Sequence, residues 1–356
     1  MVEARKRVLI TGITGFVGSW VTKLFLNDGN YIVRGTVRDN KNMAKLQPLI
    51  DEFGAEAWAK IELFEADLTN EQSIIDACAN VDILVHTASP YPITKPKNPD
   101  VLIKPAVEGT LAAMRGAEKH GVKRVIVTSS LAAVMNTKEK VDILTDDTWS
   151  HVDLGGPYER SKTMAEKAAW DFVAAQDPAK KIELVVINPA MILGPAFIKT
   201  DFSSGAIIKQ LLCGEMGGVP RINFPMVDVR DVAKAHFAAA TRPEAVGRRF
   251  ILCREGIWFQ EIAEALRDEF GPNYGTKTNQ IPLWLIKIVS WFDSQAAVVR
   301  KYWNVQIKID NSTSKTILGI DYIEPKEMVL AMGHSLVKYG IVKEKKSCKT
   351  SKTSKK

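Results

Sequence analysis

The stretch that most constrains this chain is residues 11–18, which read T-G-I-T-G-F-V-G. The β-branched run V-L-I-T leads into it, and an amphipathic pattern over residues 16–27 follows. Three glycines spaced three apart at a strand–helix junction each have a separate task. Gly12 permits a tight turn, Gly15 lets a pyrophosphate approach the backbone, and Gly18 lets helix and strand pack closely. The free N–H groups and positive dipole end at the helix start favour a bound phosphate. Glycines also close ordinary loops, but in the first strand–turn–helix unit this pattern reads as a dinucleotide cradle. Its candidate residues are Gly12, Thr14, Gly15, Phe16, Val17 and Gly18.

Such a cradle needs a parallel sheet behind it, and the first half of the chain has the pattern for one. Short apolar runs at residues 7–12, 31–37, 60–66, 82–87, 122–129 and 182–188 alternate with amphipathic stretches at 16–27, 71–79, 99–120 and 158–175. Strands that are apolar almost throughout are those buried on both faces. Right-handed crossovers then give an α/β fold, a Rossmann-type doubly wound parallel sheet. After Pro189 the rhythm breaks into prolines, glycines and isolated helical patterns at 230–240, 258–269 and 325–339. The expected organisation is a dinucleotide-binding domain over residues 1–188 and a smaller, mainly substrate-binding lobe over 189–342. A disordered lysine-rich tail over 343–356 completes it.

Charge and cysteine usage remove several classes of function. The net charge of +7 is concentrated at one end: residues 343–356 hold seven lysines and one glutamate, leaving only +1 on the other 342 residues. A nucleic-acid-binding face across the fold is therefore not indicated, and the tail reads as a solvated end, the alternative being a segment that binds an anionic membrane surface or nucleic acid. The four cysteines (Cys78, Cys213, Cys253, Cys348) form no C-x-x-C pair, which fits reduced thiols. No uninterrupted apolar run is long enough to span a bilayer. The nearest candidate, 281–289, is broken by Pro282 and Lys287 and reads as a partly buried helix. No secretory signal is visible, so the expected location is cytoplasmic. The aromatic residues between 284 and 303 fall at helical spacing and read as core or lobe packing.

The choice of dinucleotide is made at the end of the second strand, about 20 residues past the turn. The segment there is T-V-R-D, with Arg38 at the discriminating place and Lys45 nearby. An arginine fork matches the 2′-phosphate of NADP, so the charge logic favours NADPH. In the alternative, Arg38 is solvated and Asp39 takes the ribose. Asp67 and Leu68, after the third strand, are expected near the adenine. The turn Thr87-Ala88-Ser89-Pro90, after the fourth, lies at the carboxyl edge of the sheet, where ligands bind.

A second constellation is Tyr158-x-x-x-Lys162, in G-P-Y-E-R-S-K at the start of a helix. The i,i+4 spacing puts both side chains on one face. A phenol with an ordinary pKa near 10 is a poor catalyst at neutral pH, and an adjacent ammonium favours its ionised form. The fifth strand ends in Thr128-Ser129-Ser130, which brings a hydroxyl to the same sheet edge. Proton donor, pKa tuner and carbonyl polariser beside a hydride carrier are the parts of a carbonyl reductase. The five histidines (His86, His120, His151, His236, His334) include no H-E-x-x-H and no pair at metal-ligand spacing, and no metal is expected. His86 and His236 read as hydrogen-bonded structure, and Asp228 and Asp231 as capping or turn residues.

These strings, with A-D-L (66–68), K-P-A-V-E-G-T (104–110), V-T-S-S (127–130), N-P-A-M-I-L-G-P (188–195) and V-D-V-R-D-V-A-K-A-H (227–236), resemble the extended short-chain dehydrogenases/reductases. The resemblance runs from about residue 7 to 339. It is strongest to the dihydroflavonol 4-reductase group of the NAD-dependent epimerase/dehydratase superfamily. It implies a catalytic triad of Ser130, Tyr158 and Lys162, with Ser129 as the alternative serine. It also implies NADPH, a phosphate contact from Lys45, Thr128, Tyr158 and Lys162 beside the cofactor, and Pro189 and Ile192 beside the nicotinamide. A monomer or homodimer acting on a small-molecule carbonyl substrate follows from the same resemblance.

Departures from the pattern bear on substrate. Where dihydroflavonol reductases place an asparagine five residues past the catalytic serine, this chain has Met135. The flavonoid-contacting glutamine is replaced around Pro225 and Met226. The tryptophan-rich motif of cinnamoyl-CoA reductases is absent near Tyr158. A pocket lined by Ser89, Pro90, Met135 and Met226 is therefore expected to accept simpler aldehydes or ketones. The alternatives are a sugar-nucleotide epimerase/dehydratase or hydroxysteroid dehydrogenase on the same fold, or a non-catalytic NADPH sensor.

Overall fold

The computed structural model describes residues 5–89, 98–199 and 203–344. In chain order the strands are β1 (Lys6–Thr11), β2 (Tyr31–Val37), β3 (Glu62–Glu65), β4 (Ile83–His86), β5 (Arg124–Thr128), β6 (Glu183–Pro189), β7 (Met191–Leu193), β8 (Asn223–Asp228), β9 (Arg249–Leu252) and β10 (Glu255–Trp258). The helices are α1 (Phe16–Asp28), α2 (Met43–Phe53), α3 (Ala55–Trp58), α4 (Glu71–Ala77), α5 (Asp100–His120), α6 (Pro157–Ala174) and α7 (Ser203–Cys213). After these come α8 (Val229–Thr241), α9 (Phe259–Phe270), α10 (Leu283–Val289), α11 (Ser294–Lys301), α12 (Ser312–Thr316) and α13 (Pro325–Lys338).

Seven strands form one sheet in the order β3-β2-β1-β4-β5-β6-β9, every neighbouring pair parallel. The order reverses between β1 and β4, leaving a crevice at the carboxyl ends of the strands. Two separate apolar clusters cover the two faces. One packs α1 and α8 on the sheet through Val21, Phe25, Val232 and Ala235; the other packs α5 and α6 through Ala113, Met114, Ala169 and Val173. Phe25 and Phe250 are completely buried, and each such side chain contributes roughly 1.5–3 kcal/mol by leaving water. The double burial explains the nearly continuous apolar character of the strands.

The later part of the chain contributes to both layers of this architecture. β9 and α8 return to the main sheet, while β7, β8 and β10 form a three-stranded sheet of their own, in the order β10-β8-β7. That small sheet shares a core with α7, α9 and α13 through Leu193, Leu212, Phe259, Leu266 and Met332. Helix α2 was not anticipated, because Pro48 inside it and the polar turn before it obscure the periodicity. The core or lobe-packing reading of the 284–303 aromatics is corrected for three of them, while Tyr302 and Trp303 are half-buried. Trp284, Trp291 and Phe292 are 63%, 76% and 87% exposed, and in α10 only Ile286 is buried. Helical spacing records that one face is apolar, not that anything in this chain covers it.

Candidate active site

At the end of β1 the chain turns at Gly12, whose φ of +72° lies in the left-handed region. Gly15 N–H donates to Gly12 O at 2.9 Å and Ser19 N–H to Gly15 O at 3.0 Å, leading into α1. A Cβ at residue 18 would stand 2.3 Å from Gly12 O and 2.9 Å from Thr87 Oγ1; one at residue 12 would stand 3.2 Å from Ala88 Cβ. The glycines are thus demanded by close backbone approach. Thr87 Oγ1 donates to Thr11 O at 2.6 Å and Ala88 N–H donates to Thr11 Oγ1 at 3.1 Å, tying the turn to the end of β4. Gly15 caps α1 with extended backbone, no side chain caps this end, and the first turn carries no acid. Backbone dipoles with no competing carboxylate fit a pyrophosphate. Gly15 is exposed, Thr14, Phe16 and Val17 are half-buried, and Gly18 is buried.

Arg38, one residue beyond β2, is exposed, as is Lys45 in the first turn of α2. Asp39 is engaged locally: its Oδ1 accepts from Lys41 N–H at 2.8 Å. Asp67 Oδ1 accepts from Thr69 N–H at 2.8 Å and Thr69 Oγ1 at 2.6 Å. Those bonds, and then the nearby Arg38 guanidinium, hold its carboxyl below the usual range. Leu68 lies against α5, with its Cδ2 3.0 Å from where a Cβ on Gly109 would be. Arg38, Asp67 and Leu68 therefore gather at the β2–β3 end of the sheet, with Lys45 exposed at the start of α2.

Pro157 opens α6, its fixed φ and missing N–H suiting the first helical position. One turn on, Lys162 is buried and its Nζ donates to Thr128 O at 3.3 Å, so the start of α6 lies across the end of β5. Burial pushes the ammonium down to about 8, while the Glu166 carboxylate opposes that shift. Tyr158 is half-buried in the first turn of the same helix. A small cavity at this edge is lined by His86, Ala88, Ser89, Thr128, Ser129, Lys162 and Glu166.

The structure separates the two serines. Ser129 is buried and its Oγ donates to Glu166 Oε2 at 2.6 Å. Ser130 is half-buried and its Oγ accepts from Ala132 N–H at 3.2 Å, which leaves its own proton to donate. Glu166 anchors a wider network: Asn188 Nδ2 donates to it at 2.6 Å and to Ser130 O at 3.2 Å, and Arg249 Nε donates to it at 2.5 Å. Arg249 also donates to Asp146 O and Thr148 O at 2.8 Å, with its guanidinium 3.6 Å from the Trp149 ring centre. The loop between β5 and α6 is thereby pinned to β6 and β9. Sequence reasoning missed Glu166. Its signal was its place four residues after Lys162, an acid on the functional face of α6.

Other expectations resolve as follows. Met135 is half-buried against the main core. The pocket role expected of Met226 is corrected: it is wholly buried in the lobe core, because β8 lies between β7 and β10 and turns this side chain inward. Pro90 lies outside the described residues. Pro189 is buried and Ile192 half-buried, on either side of the β6–β7 step. His236 Nδ1 donates to Val232 O and its Nε2 accepts from Thr128 Oγ1, both at 2.7 Å, while His86 Nδ1 bonds Thr11 Oγ1 at 3.1 Å. Both histidines are structural. Asp228 caps α8 and holds Arg230 through both carboxylate oxygens; Asp231 accepts from Ile323 N–H at 2.8 Å. Among the described residues no cluster of three or more His, Cys, Asp or Glu has the arrangement of a metal site.

With this geometry in hand, known proteins are informative. The model of the NAD dependent epimerase/dehydratase family matches residues 8–253. The cinnamoyl-CoA reductase CAD2 of Medicago truncatula is 37% identical over 273 residues, covering 73% of this chain and 80% of that protein. The putative NADPH-dependent methylglyoxal reductase GRP2 of Candida albicans is 31% identical over 343 residues, 90% of this chain and 96% of that one. The solved yeast methylglyoxal/isovaleraldehyde reductase Gre2, complexed with NADPH, superposes with a TM-score of 0.76 at 25% identity. That match covers 94% of this chain and 99% of that one. The chain belongs to the NAD-dependent epimerase/dehydratase family, in its dihydroflavonol 4-reductase-like group of extended short-chain reductases.

Proposed function

We propose that this chain is an NADPH-dependent reductase of small aldehydes or ketones. The observation that carries the reading is the buried Lys162 ammonium set across the end of β5, in a cavity it shares with Ala88, the residue packed against the glycine turn. Gly12, Thr14, Gly15, Phe16, Val17 and Gly18 would hold the pyrophosphate, and Arg38 and Lys45 the 2′-phosphate. Asp67 and Leu68 would border the adenine, and Thr87, Ala88, Ser89, Thr128, Pro189 and Ile192 the nicotinamide end. Bound NADPH supplies the hydride. Lys162 would hold the ribose and, by its charge, make the Tyr158 phenol a better proton donor. Ser130 would donate to the carbonyl oxygen, since Ser129 is already committed to Glu166.

Exposed Arg38 beside Asp39, whose carboxylate faces its own turn, supports NADPH over NADH. So do the NADPH-dependent relative and the NADPH-bound neighbour. Ser89 and Met135 remain the pocket candidates, without the polar anchors of a flavonoid site. A cytoplasmic setting is supported by Cys78 and Cys253, which stand as buried thiols outside any disulfide. The decisive test is Tyr158→Phe, assayed by NADPH oxidation against a panel of aldehydes and ketones. Loss of about 10²–10⁴-fold in kcat is expected from removing a general acid, with NADPH binding within about twofold of wild type, since no phosphate contact is lost. Undiminished turnover in that variant would refute the mechanism.

A further inference from the structure

Helices α10 and α11 form a hairpin on the C-terminal lobe. Its two ends are fastened to one short segment: Gln280 bridges to Val219, and Asn304 N–H donates to Arg221 O at 2.8 Å. Between these anchors Ile286 and Ala296 are the buried apolar side chains, and α10 packs against α11. Most of the remaining apolar side chains of the two helices face outward, with Leu283 and Val299 half-buried. Trp284, Leu285, Ile288 and Val289 line α10, Trp291 and Phe292 form the tip, and Val298 lies on α11, all exposed. Scattered exposed apolar residues need no explanation, but two tryptophans and a phenylalanine on one projecting hairpin do.

Charge around this patch is one-sided. Residues 277–308 carry Lys277, Lys287, Arg300, Lys301 and Lys308 against a single acid, Asp293, whose carboxylate accepts from Ala296 N–H at 3.1 Å. Lys287, Arg300 and Lys301 are exposed on the hairpin itself. The same lobe carries the start of the basic tail: Val342 is buried in its core, and Glu344 lies within electrostatic reach of Tyr274, six residues before Gln280. The twelve residues that follow hold six lysines and no acid.

An apolar tip ringed by cations is complementary to an anionic bilayer surface. Tryptophan sits at the headgroup level, apolar side chains enter the acyl boundary, and lysines and arginines meet anionic lipid. Pairing with a second copy of the chain is the poorer match, because a two-fold interface sets like residues together and opposes the three cations to their own copies. Spanning is excluded for the hairpin by length, and no helix among the described residues is long and apolar enough to cross a membrane. We propose that the α10–α11 hairpin is a peripheral membrane-docking wedge: Trp284, Ile288, Trp291 and Phe292 insert at the interface of an anionic bilayer, and Lys287, Arg300 and Lys301 contact its headgroups.

The test uses the full chain with vesicles of phosphatidylcholine alone and of phosphatidylcholine mixed with phosphatidylserine. Co-sedimentation and the tryptophan emission maximum are read at low and high salt. The wild type is expected to sediment with the anionic vesicles, with a blue-shifted emission and a salt-weakened affinity. The double variant Trp291→Glu/Phe292→Glu replaces exposed side chains, and NADPH binding confirms its fold. It is expected to lose about tenfold or more of that affinity, as two aromatic insertions are removed. Three results would overturn the proposal: a wild type that stays in solution, equal sedimentation of both proteins so that the tail alone binds, or self-association by analytical ultracentrifugation that the double variant abolishes without any vesicle binding.

Discussion

At Lys162 an ammonium is held away from water against a backbone carbonyl, with Glu166 one helical turn further along the same face. Burial lowers its proton affinity to about 8, far below an exposed lysine, so its charge is lost just above neutrality. In the proposed mechanism the charged form is the one that aids Tyr158, so catalysis should decline as this proton leaves. The expected result is an alkaline limb in kcat/KM for NADPH, which reports the free enzyme, near pH 8; a limb near pH 10 would contradict the assignment. Arg38 illustrates the opposite economy, an exposed cation whose use awaits a ligand. Arg38→Ser removes a charge-assisted phosphate contact of roughly 1.5–3 kcal/mol. The ratio of NADPH to NADH efficiency should fall about 10–150-fold, and an unchanged ratio would return the ribose to Asp39.

Elements act here by fixing distances that no single residue sets. The β1–α1 turn works because three glycines let α1 and the end of β4 close on one another, with no room for a methyl group at position 18. Gly18→Ala would have to displace backbone rather than a flexible side chain. A stability loss of about 1–3 kcal/mol is expected from that overpacking, together with at least about tenfold weaker NADPH binding as the N–H groups move. Thermal melting and fluorescence titration read both; a variant with wild-type affinity would show that the turn tolerates the shift. The β5–α6 loop is held differently. Its Ser129 meets Asn188 and Arg249 on Glu166, and Asn188 also holds the Ser130 carbonyl, so α6, β6 and β9 jointly set where Ser130 stands.

Across the whole molecule, two completely buried histidines tie folding to pH. Desolvation holds His86 and His236 down to about 4, against 6.5 for an unburied imidazole. Above pH 6.5 both are neutral whether the chain is folded or not, and they impose no pH dependence. As the pH falls from 6.5 towards 4 the unfolded chain takes up protons that the folded chain refuses, so stability drops through that window and levels off below it. Tm measured between pH 7 and 4 should fall accordingly, and the loss should shrink in His236→Gln, which retains hydrogen-bonding groups without titrating. A Tm flat across that interval would show that the imidazoles protonate in place.

The parts legible in the sequence are those that local periodicity and spacing encode. Apolar runs of strand length, amphipathic stretches between them, glycines at one junction and a tyrosine four residues before a lysine each concern neighbours along the chain. They were enough to specify the parallel sheet, the glycine turn at its edge and the helix that carries Tyr158 and Lys162. The proposed preference for Ser130 over Ser129, by contrast, rests on the Glu166 carboxylate that engages Ser129, and Glu166 is itself paired with Arg249, 83 residues further on and brought in by β9. Met226 and Trp291 are both apolar residues in patterned segments, yet one is wholly buried and the other 76% exposed. A hydrophobic period states which side of an element avoids water. What comes to cover that side, if anything does, is settled only when distant elements pack, and that is where this molecule's serine, pocket and exposed hairpin were decided.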